Sequence, residues 1–180
     1  MTGFGYAEPA NNLEIAMSLS TLARGLPPPA AEPVLYAVLR VAFGIVMLTH
    51  GLPKALGTSH GSMADPMAGS INLIQNVMGL PFAPQLAFLV MLLETGGALL
   101  LVAGLLTRPV ALLMALEMAA ISYALGPTWP WIDRGIEYPV LMGFLALYMA
   151  ARGGGAWSLD RLAERARADR GAGRYTGCAS

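Results

Sequence analysis

The chain has 180 residues, with 11 Lys+Arg and 11 Asp+Glu, so its formal net charge at pH 7 is zero. Hydrophobic residues make up 56% of the sequence and charged residues 12%, against about 25% charged residues in a typical soluble domain. This composition excludes a nucleic-acid-binding protein that neutralises phosphates, and it excludes a disordered chain. The single cysteine, Cys178, excludes a disulfide framework and a multi-cysteine metal site.

The first 33 residues precede the first long apolar run. They contain no basic start followed by a short apolar stretch and a small-residue cleavage site, so a signal peptide is not predicted. We predict an N-terminal cytoplasmic leader over residues 1–33.

Four apolar runs follow, and each contains a single charged residue. A hydrocarbon core of about 30 Å requires about 20 apolar residues per helix, whereas a helix of a soluble domain would show a charged face to water. The sequence therefore predicts an all-α fold, an integral membrane four-helix bundle within a transmembrane domain at 34–155. The predicted helices are 34–52, 83–106, 109–125 and 136–151.

Two further segments flank or interrupt these helices. Apolar residues recur at helical spacing over 65–79, which predicts a short re-entrant or surface helix between helices 1 and 2. Residues 156–180 form an Arg-rich tail, with a charged helix from Ser158 to Arg170 that Ser158 caps.

The distribution of basic residues predicts the orientation. With the N terminus in the cytoplasm, eight arginines outside the spans lie on the inner side, and only Lys54 and Arg134 lie on the outer side. We therefore predict that both termini are cytoplasmic and that the chain resides in a bacterial inner (cytoplasmic) membrane.

Ionisable groups inside a membrane cost about 3 kcal/mol each on insertion scales, so each requires an explanation. Arg40 belongs to a stripe on the first helix that is suited to face other helices. The stripe comprises Ala37, Arg40, Gly44, Met47, Gly51 and Lys54. At about 1.5 Å per residue, Arg40, Glu94 and Glu117 lie deep enough to converge, which predicts a buried polar cluster. One arginine cannot neutralise two carboxylates, so one of them is expected to be protonated or to reach water.

Two roles remain open for this cluster. It stabilises the bundle and sets its register, or it relays protons or binds a quinone head group. At the outer end, His50, Lys54 and Glu137 are expected to approach one another, either as a polar site at the membrane surface or as ordinary interfacial residues. Glu137 is also favoured by the dipole at its helix N terminus.

The sequence predicts no metal site and no catalytic residues. Haem ligation by two histidines needs a pair on facing helices, and the chain has only His50 and the loop residue His60. Phosphate-binding loops, zinc-protease motifs and nucleophile–base motifs are absent from the sequence. We therefore expect no cofactor bound by this chain alone and no catalysis by the chain on its own.

Several short motifs, in this order and spacing, resemble the DoxX family. They are Arg40, 49–54 (THGLPK), 78–81 (MGLP), 94–97 (ETGG), 104–108 (GLLTR), 135–138 (GIEY) and 153–160 (GGGAWSLD). The proline usual in the family's Gly-Pro-Gly segment is missing here. The resemblance covers about residues 34–162, and it implies a four-helix integral membrane protein.

Some family members are associated with quinone-linked oxidation of sulfur compounds or with membrane assemblies that handle oxidative or thiol stress. This chain has no cysteine in its spans, which argues against the thiol branch. The resemblance therefore implies an accessory or structural subunit of a larger membrane redox or respiratory assembly. Such a subunit contacts the bilayer and other membrane subunits or copies of itself, contributes a quinone or proton path, and is at most one part of a quinone-linked oxidoreductase. The alternative is a small membrane transporter or carrier that acts as a homo-oligomer.

Overall fold

The computed structural model of the protein describes residues 31–133 and 135–176. Most of the predicted leader at 1–33, and the last residues of the predicted tail, therefore lie outside the described residues. The described part of the chain is helical and contains no β-strand, apart from an isolated bridge between His60 and Met63. The prediction of an all-α fold is confirmed.

Helix α1 spans Glu32–Leu56 and is longer than the predicted 34–52. Pro33 lies in its first turn, where a missing N–H leaves no bond unmade. The helix continues through Pro53 and ends only at Gly57, which adopts a left-handed conformation with φ 65°. The extension matters because it places Lys54 on the last turn of α1 and not in a loop.

The predicted short helix between the first two long helices is present. Helix α2 spans Pro66–Asn72 and continues as a π-helical turn, Leu73–Val77. Asp65 caps its N terminus, because the Asp65 side chain accepts a hydrogen bond from the Ala68 N–H at 2.9 Å. Ile74 of this turn packs in a small apolar cluster with Ala83 and Ala87. The segment is therefore packed on the start of the next long helix.

Helix α3 spans Ala83–Ala103 and contains a π-helical turn at Leu93–Gly97. It ends three residues before the predicted boundary at 106, because Gly104 and Leu106 both have positive φ angles, 69° and 52°. Such a π-turn widens a helix locally, and π-turns are frequent at functional sites. Here the turn contains Glu94.

The remaining helices follow after short connections. Helix α4 spans Thr107–Leu125, helix α5 spans Glu137–Arg152 and helix α6 spans Leu159–Thr176, and a 3₁₀ turn at Trp131–Asp133 precedes α5. The Ser158 hydroxyl accepts a hydrogen bond from the Arg161 N–H at 3.2 Å, as the sequence predicts for the start of α6.

One apolar core is shared by α1, α3, α4 and α5, and methionine and alanine are frequent in it. Large apolar side chains also cover the outside of these helices, with Leu116 60% exposed on α4 and Phe144 68% exposed on α5. Within residues 31–133 and 135–176, three helices are long and apolar enough to cross a membrane: α1, α3 and α4, with mean hydropathies of 1.7, 2.2 and 1.4. Helix α5 has 16 residues, so its crossing of the membrane remains a prediction.

Gly51 allows α1 to approach α3 closely at the π-turn. A Cβ atom at Gly51 would lie 2.7 Å from the carbonyl carbon of Glu94 and 2.7 Å from Cγ2 of Thr95. The Glu94 carbonyl carbon is a backbone atom, which cannot rotate away. The small residue therefore sets the relative position of Lys54, one turn later on α1, and Glu94.

Replacing Gly51 with alanine is expected to lower the free energy of unfolding by about 1–3 kcal/mol, because the added methyl group forces the two helices apart. Thermal melts in detergent measure the effect. The matched control is Gly96→Ala on the same π-turn, where a Cβ atom meets nothing within 4 Å. If Gly51→Ala melted with Gly96→Ala, the proposed close approach of α1 and α3 would be wrong.

Candidate functional site

A buried ion pair joins α1 to α3. The Lys54 Nζ atom lies 2.7 Å from Oε1 and 2.6 Å from Oε2 of Glu94, so it bonds both carboxylate oxygens. The two side chains are 12% and 4% exposed. An ion pair so well shielded from water interacts more strongly than a surface pair, and it is also costly to break.

A second carboxyl group lies beside this pair. Glu117 of α4 is 8% exposed, and its carboxyl group is close enough to Glu94 and Lys54 to interact with both electrostatically. Both of its carboxyl oxygens are buried and have no hydrogen-bond partner of normal geometry. We call these three residues the Lys54–Glu94–Glu117 triad. It brings three helices together and contains two acids for one cation.

Two histidines extend the polar groups from the triad toward the loop that follows α1. The His50 side chain interacts electrostatically with Lys54 and Glu94. Its ring centroid lies 4.8 Å from that of His60 and 6.3 Å from that of Tyr138 on α5. Ionisable side chains thus run from the bundle interior, through Lys54 and His50, to the loop residue His60.

Arg40 does not join the carboxylates of Glu94 and Glu117, contrary to the predicted cluster of these three residues. It is 2% exposed, and its guanidinium donates hydrogen bonds to the carbonyl oxygens of Leu101, of Val102 at 3.0 Å and of Trp157 at 2.6 Å. Two of these carbonyls belong to the last turn of α3, where the helix dipole favours a cation. Arg40 therefore ties the end of α3 and the segment after α5 to α1.

Asp160 completes this end of the bundle, and the sequence indicated it only through the family motif at 153–160. Its carboxylate accepts hydrogen bonds from the N–H groups of Leu106 at 2.8 Å and Thr107 at 2.9 Å, at the start of α4. Partial burial alone would raise the pKa of Asp160, but these hydrogen bonds and the nearby Arg40 charge hold it below its usual range. Asp160 thus joins the start of α6 to the turn between α3 and α4.

The structure regroups the residues of the two predicted sites. Glu94 and Glu117 of the inner set meet Lys54 and His50 of the outer set, whereas Arg40 lies at the opposite end of α1. Glu137 begins α5, and its backbone N–H bonds the Trp129 carbonyl at 3.1 Å. The sequence pattern placed Glu94 and Lys54 in different predicted sites, so it did not predict that they pair. The available signal was that Lys54 shares the stripe of Gly51 on α1.

Comparisons of the sequence with known proteins agree with the predicted resemblance to the DoxX family. The sequence profile of the DoxX family matches residues 35–126, from the first turn of α1 to the end of α4. The chain is 30% identical over 143 residues to the inner membrane protein YphA of Escherichia coli, covering 73% of this chain and 92% of YphA. It is 28% identical over 140 residues to an uncharacterized protein of Haemophilus influenzae, covering 72% of this chain and 90% of that protein. No solved structure matches the chain.

The family match therefore includes α1, α3 and α4, the three helices that are apolar and long enough to cross a bilayer and that hold the Lys54–Glu94–Glu117 triad. The predicted resemblance is confirmed. The chain belongs to the DoxX family and is an integral membrane protein.

Proposed function

We propose that this protein is an accessory subunit of a larger membrane redox or respiratory assembly, in which the Lys54–Glu94–Glu117 triad exchanges protons. The observation that carries the proposal is the Glu117 carboxyl, buried beside an existing ion pair with no hydrogen-bond partner of normal geometry for either oxygen.

The proposed topology has four membrane-spanning helices, α1, α3, α4 and α5, with both termini in the cytoplasm of a bacterial cell. Helix α5 supports a fourth crossing because it shares the core of the other three and carries exposed apolar residues such as Leu141 and Phe144. Its 16 residues are slightly short, and Arg152 at its end extends the span with a long interfacial side chain. The name of the YphA relative, an inner membrane protein, supports the same location.

The charge balance of the triad favours a shared proton. Lys54 neutralises Glu94, so an ionised Glu117 would leave an unbalanced negative charge in a site of low dielectric constant. A protonated Glu117 removes that charge, and its O–H can donate to Glu94. A small change in the position of the Lys54 ammonium group would alter this charge balance, so it would release or take up a proton.

A quinone suits the donor set of this region. The Lys54 ammonium group, the His50 ring N–H and a protonated Glu117 are hydrogen-bond donors, and quinone carbonyl oxygens accept hydrogen bonds. Bound there, a quinone would supply two-electron redox chemistry coupled to two protons. The role of this chain's residues would be to orient the head group and to hold a proton at the Glu117 carboxyl.

The test begins with extraction of the tagged protein in mild detergent. We expect partner chains in a constant ratio and an absorption spectrum of flavin, haem or iron–sulfur groups carried by them. We expect Glu117→Gln to retain the partners but to lower proton-coupled turnover of the assembly by about 100-fold, since a proton-transfer group typically contributes at least that factor. Ser122→Ala is the control, because Ser122 lies on α4 and bonds only the Met118 carbonyl, at 2.7 Å. A protein that purifies alone, without partner chains, would rule out the assembly.

A carrier that acts as a homo-oligomer is the second candidate. The run of ionisable side chains from Glu117 through Lys54 and His50 to His60 favours it, because such a line can conduct protons or bind a charged substrate. Reconstituted vesicles distinguish the two functions. Proton or substrate flux that the purified chain supports alone, and that Glu94→Gln abolishes, would establish the carrier and reject the accessory subunit.

A further inference from the structure

A cavity of about 710 Å³ lies at the end of the bundle opposite the triad. It is open on one side and is lined by the turn between α3 and α4, the start of α4, the glycine segment Gly153–Gly155 and the first turns of α6. Apart from Arg152, which the proposed topology uses at the end of α5, the proposed function uses none of the lining residues. Its lining contains four arginines against two carboxylates, which are Asp160 and Glu164.

The two carboxylates of the cavity are already engaged. Asp160 accepts the N–H groups of Leu106 and Thr107, and Glu164 forms an ion pair with Arg161 at 3.1 Å. Among the other arginines, Arg152 pairs with Glu32 outside the cavity. Arg108 and Arg167 remain, and neither forms an ion pair with any residue that the structure describes. Two guanidinium groups without an ion-pair partner in the described part of the chain therefore line one concave surface.

The glycine segment shapes the cavity around one of these arginines. Gly153 has φ 80°, and a Cβ atom there would lie 3.0 Å from the Nε atom of Arg108. The Arg108 side chain thus lies against backbone that only glycine leaves open. The Thr107 hydroxyl, fully buried and without a hydrogen-bond partner of normal geometry, also lines the cavity beside Asp160.

We propose that this cavity binds a phosphate group, held by Arg108 and Arg167. Guanidinium groups match the oxygens of a phosphate in geometry and charge.

Phosphates come from two sources here, the head group of an anionic phospholipid and free phosphate in solution. Leu106 in the lining is 55% exposed, and Leu162, between two lining residues of α6, is 58% exposed. These apolar surfaces suit acyl chains, and basic pockets between membrane helices bind anionic head groups.

The test measures lipid binding to the purified full-length protein by native mass spectrometry. We expect phosphatidylglycerol to bind the unaltered protein about tenfold more tightly than phosphatidylcholine, whose head group is zwitterionic. We expect the double variant Arg108→Gln, Arg167→Gln to weaken phosphatidylglycerol binding by about tenfold or more, since each basic residue near the head group contributes about that factor or slightly less. The control is the double variant Arg165→Gln, Arg170→Gln. It removes the same charge from α6 at positions outside the cavity lining.

Competition with inorganic phosphate separates the two sources. Displacement of phosphatidylglycerol by phosphate would show that the phosphate group alone is recognised, whereas persistence of the bound lipid would assign the site to phospholipids. If the cavity variant fails to fold, the unaltered protein still provides a test, because raising the salt concentration from about 0.05 M to about 0.5 M must weaken the binding. Equal affinity for the two lipids, equal affinity of the cavity and control variants, or binding insensitive to salt would overturn the proposal.

Discussion

Replacing Lys54 with methionine is expected to lower the free energy of unfolding by about 3–5 kcal/mol, because it leaves Glu94 buried without its cation. Both carboxylate oxygens of Glu94 bond the Lys54 ammonium group, and Glu94 is 3% exposed. The lysine also balances the charge next to Glu117. Unfolding in detergent, followed by far-UV circular dichroism, measures the loss.

The double variant Lys54→Met, Glu94→Leu is the control for this prediction. Since it removes both charges together, it is expected to recover most of the stability, as apolar replacements of buried ion pairs often do. The two variants and Glu94→Leu alone form a double-mutant cycle that isolates the interaction of the pair. A Lys54→Met protein as stable as the unaltered one would mean that Glu94 is not buried against Lys54.

Replacing Arg40 with methionine is expected to cost about 3 kcal/mol or more of stability. The change removes the guanidinium donor from the carbonyl oxygens of Leu101, Val102 and Trp157. Leu101 keeps the Gly104 N–H at 3.0 Å, so the cost falls on Val102 and Trp157, at about 1–3 kcal/mol for each carbonyl left unpaired. The loss thus comes from these carbonyl groups and not from the carboxylates of Glu94 and Glu117, which the sequence placed beside Arg40. We expect the connection between α3, α4 and α6 to open first, and hydrogen exchange at the N–H groups of Leu106 and Thr107 measures that opening.

Two further variants accompany Arg40→Met. Arg40→Lys keeps the charge but cannot reach three carbonyls in the same planar arrangement, so an intermediate loss is expected. Arg161→Met removes an arginine whose ion pair with Glu164 is exposed, with side chains 54% and 63% accessible, and is expected to change stability by less than about 1 kcal/mol. Arg40→Met and Arg161→Met with the same melting temperature would contradict the proposed role of Arg40.

These predictions place the two ends of α1 in different roles. Lys54 contributes to the site at which we propose that protons are exchanged, whereas Arg40 bonds carbonyl groups at the end of α3 and in the segment after α5. A variant at Arg40 should therefore act through folding. A variant at Glu117, whose oxygens have no hydrogen-bond partner of normal geometry, should act mainly through turnover.

The local chemistry of the chain predicted much of the fold. Apolar runs with single charges indicated membrane helices, and the family motifs indicated the DoxX fold. The stripe on α1 predicted which residues face the bundle, and Arg40, Gly44, Met47 and Gly51 are indeed buried. The observed helix ends differ from the predicted ends by a few residues, because the local pattern is weakest there. The first helix, for example, continues past Pro53 and ends at Leu56 rather than at residue 52.

The sequence by itself determined that the long helices are embedded in lipid, that the fold is all-α, and which side of a helix faces the bundle. These properties depend on composition and on a period of 3.6 residues within one helix. Only the tertiary structure decided which charged side chains interact with each other. The axial position of one helix against another depends on close backbone contacts, such as Gly51 against the π-turn of α3, and not on either helix alone. That contact pairs Glu94 with Lys54, and it leaves Arg40 to the carbonyl groups at the other end of α1.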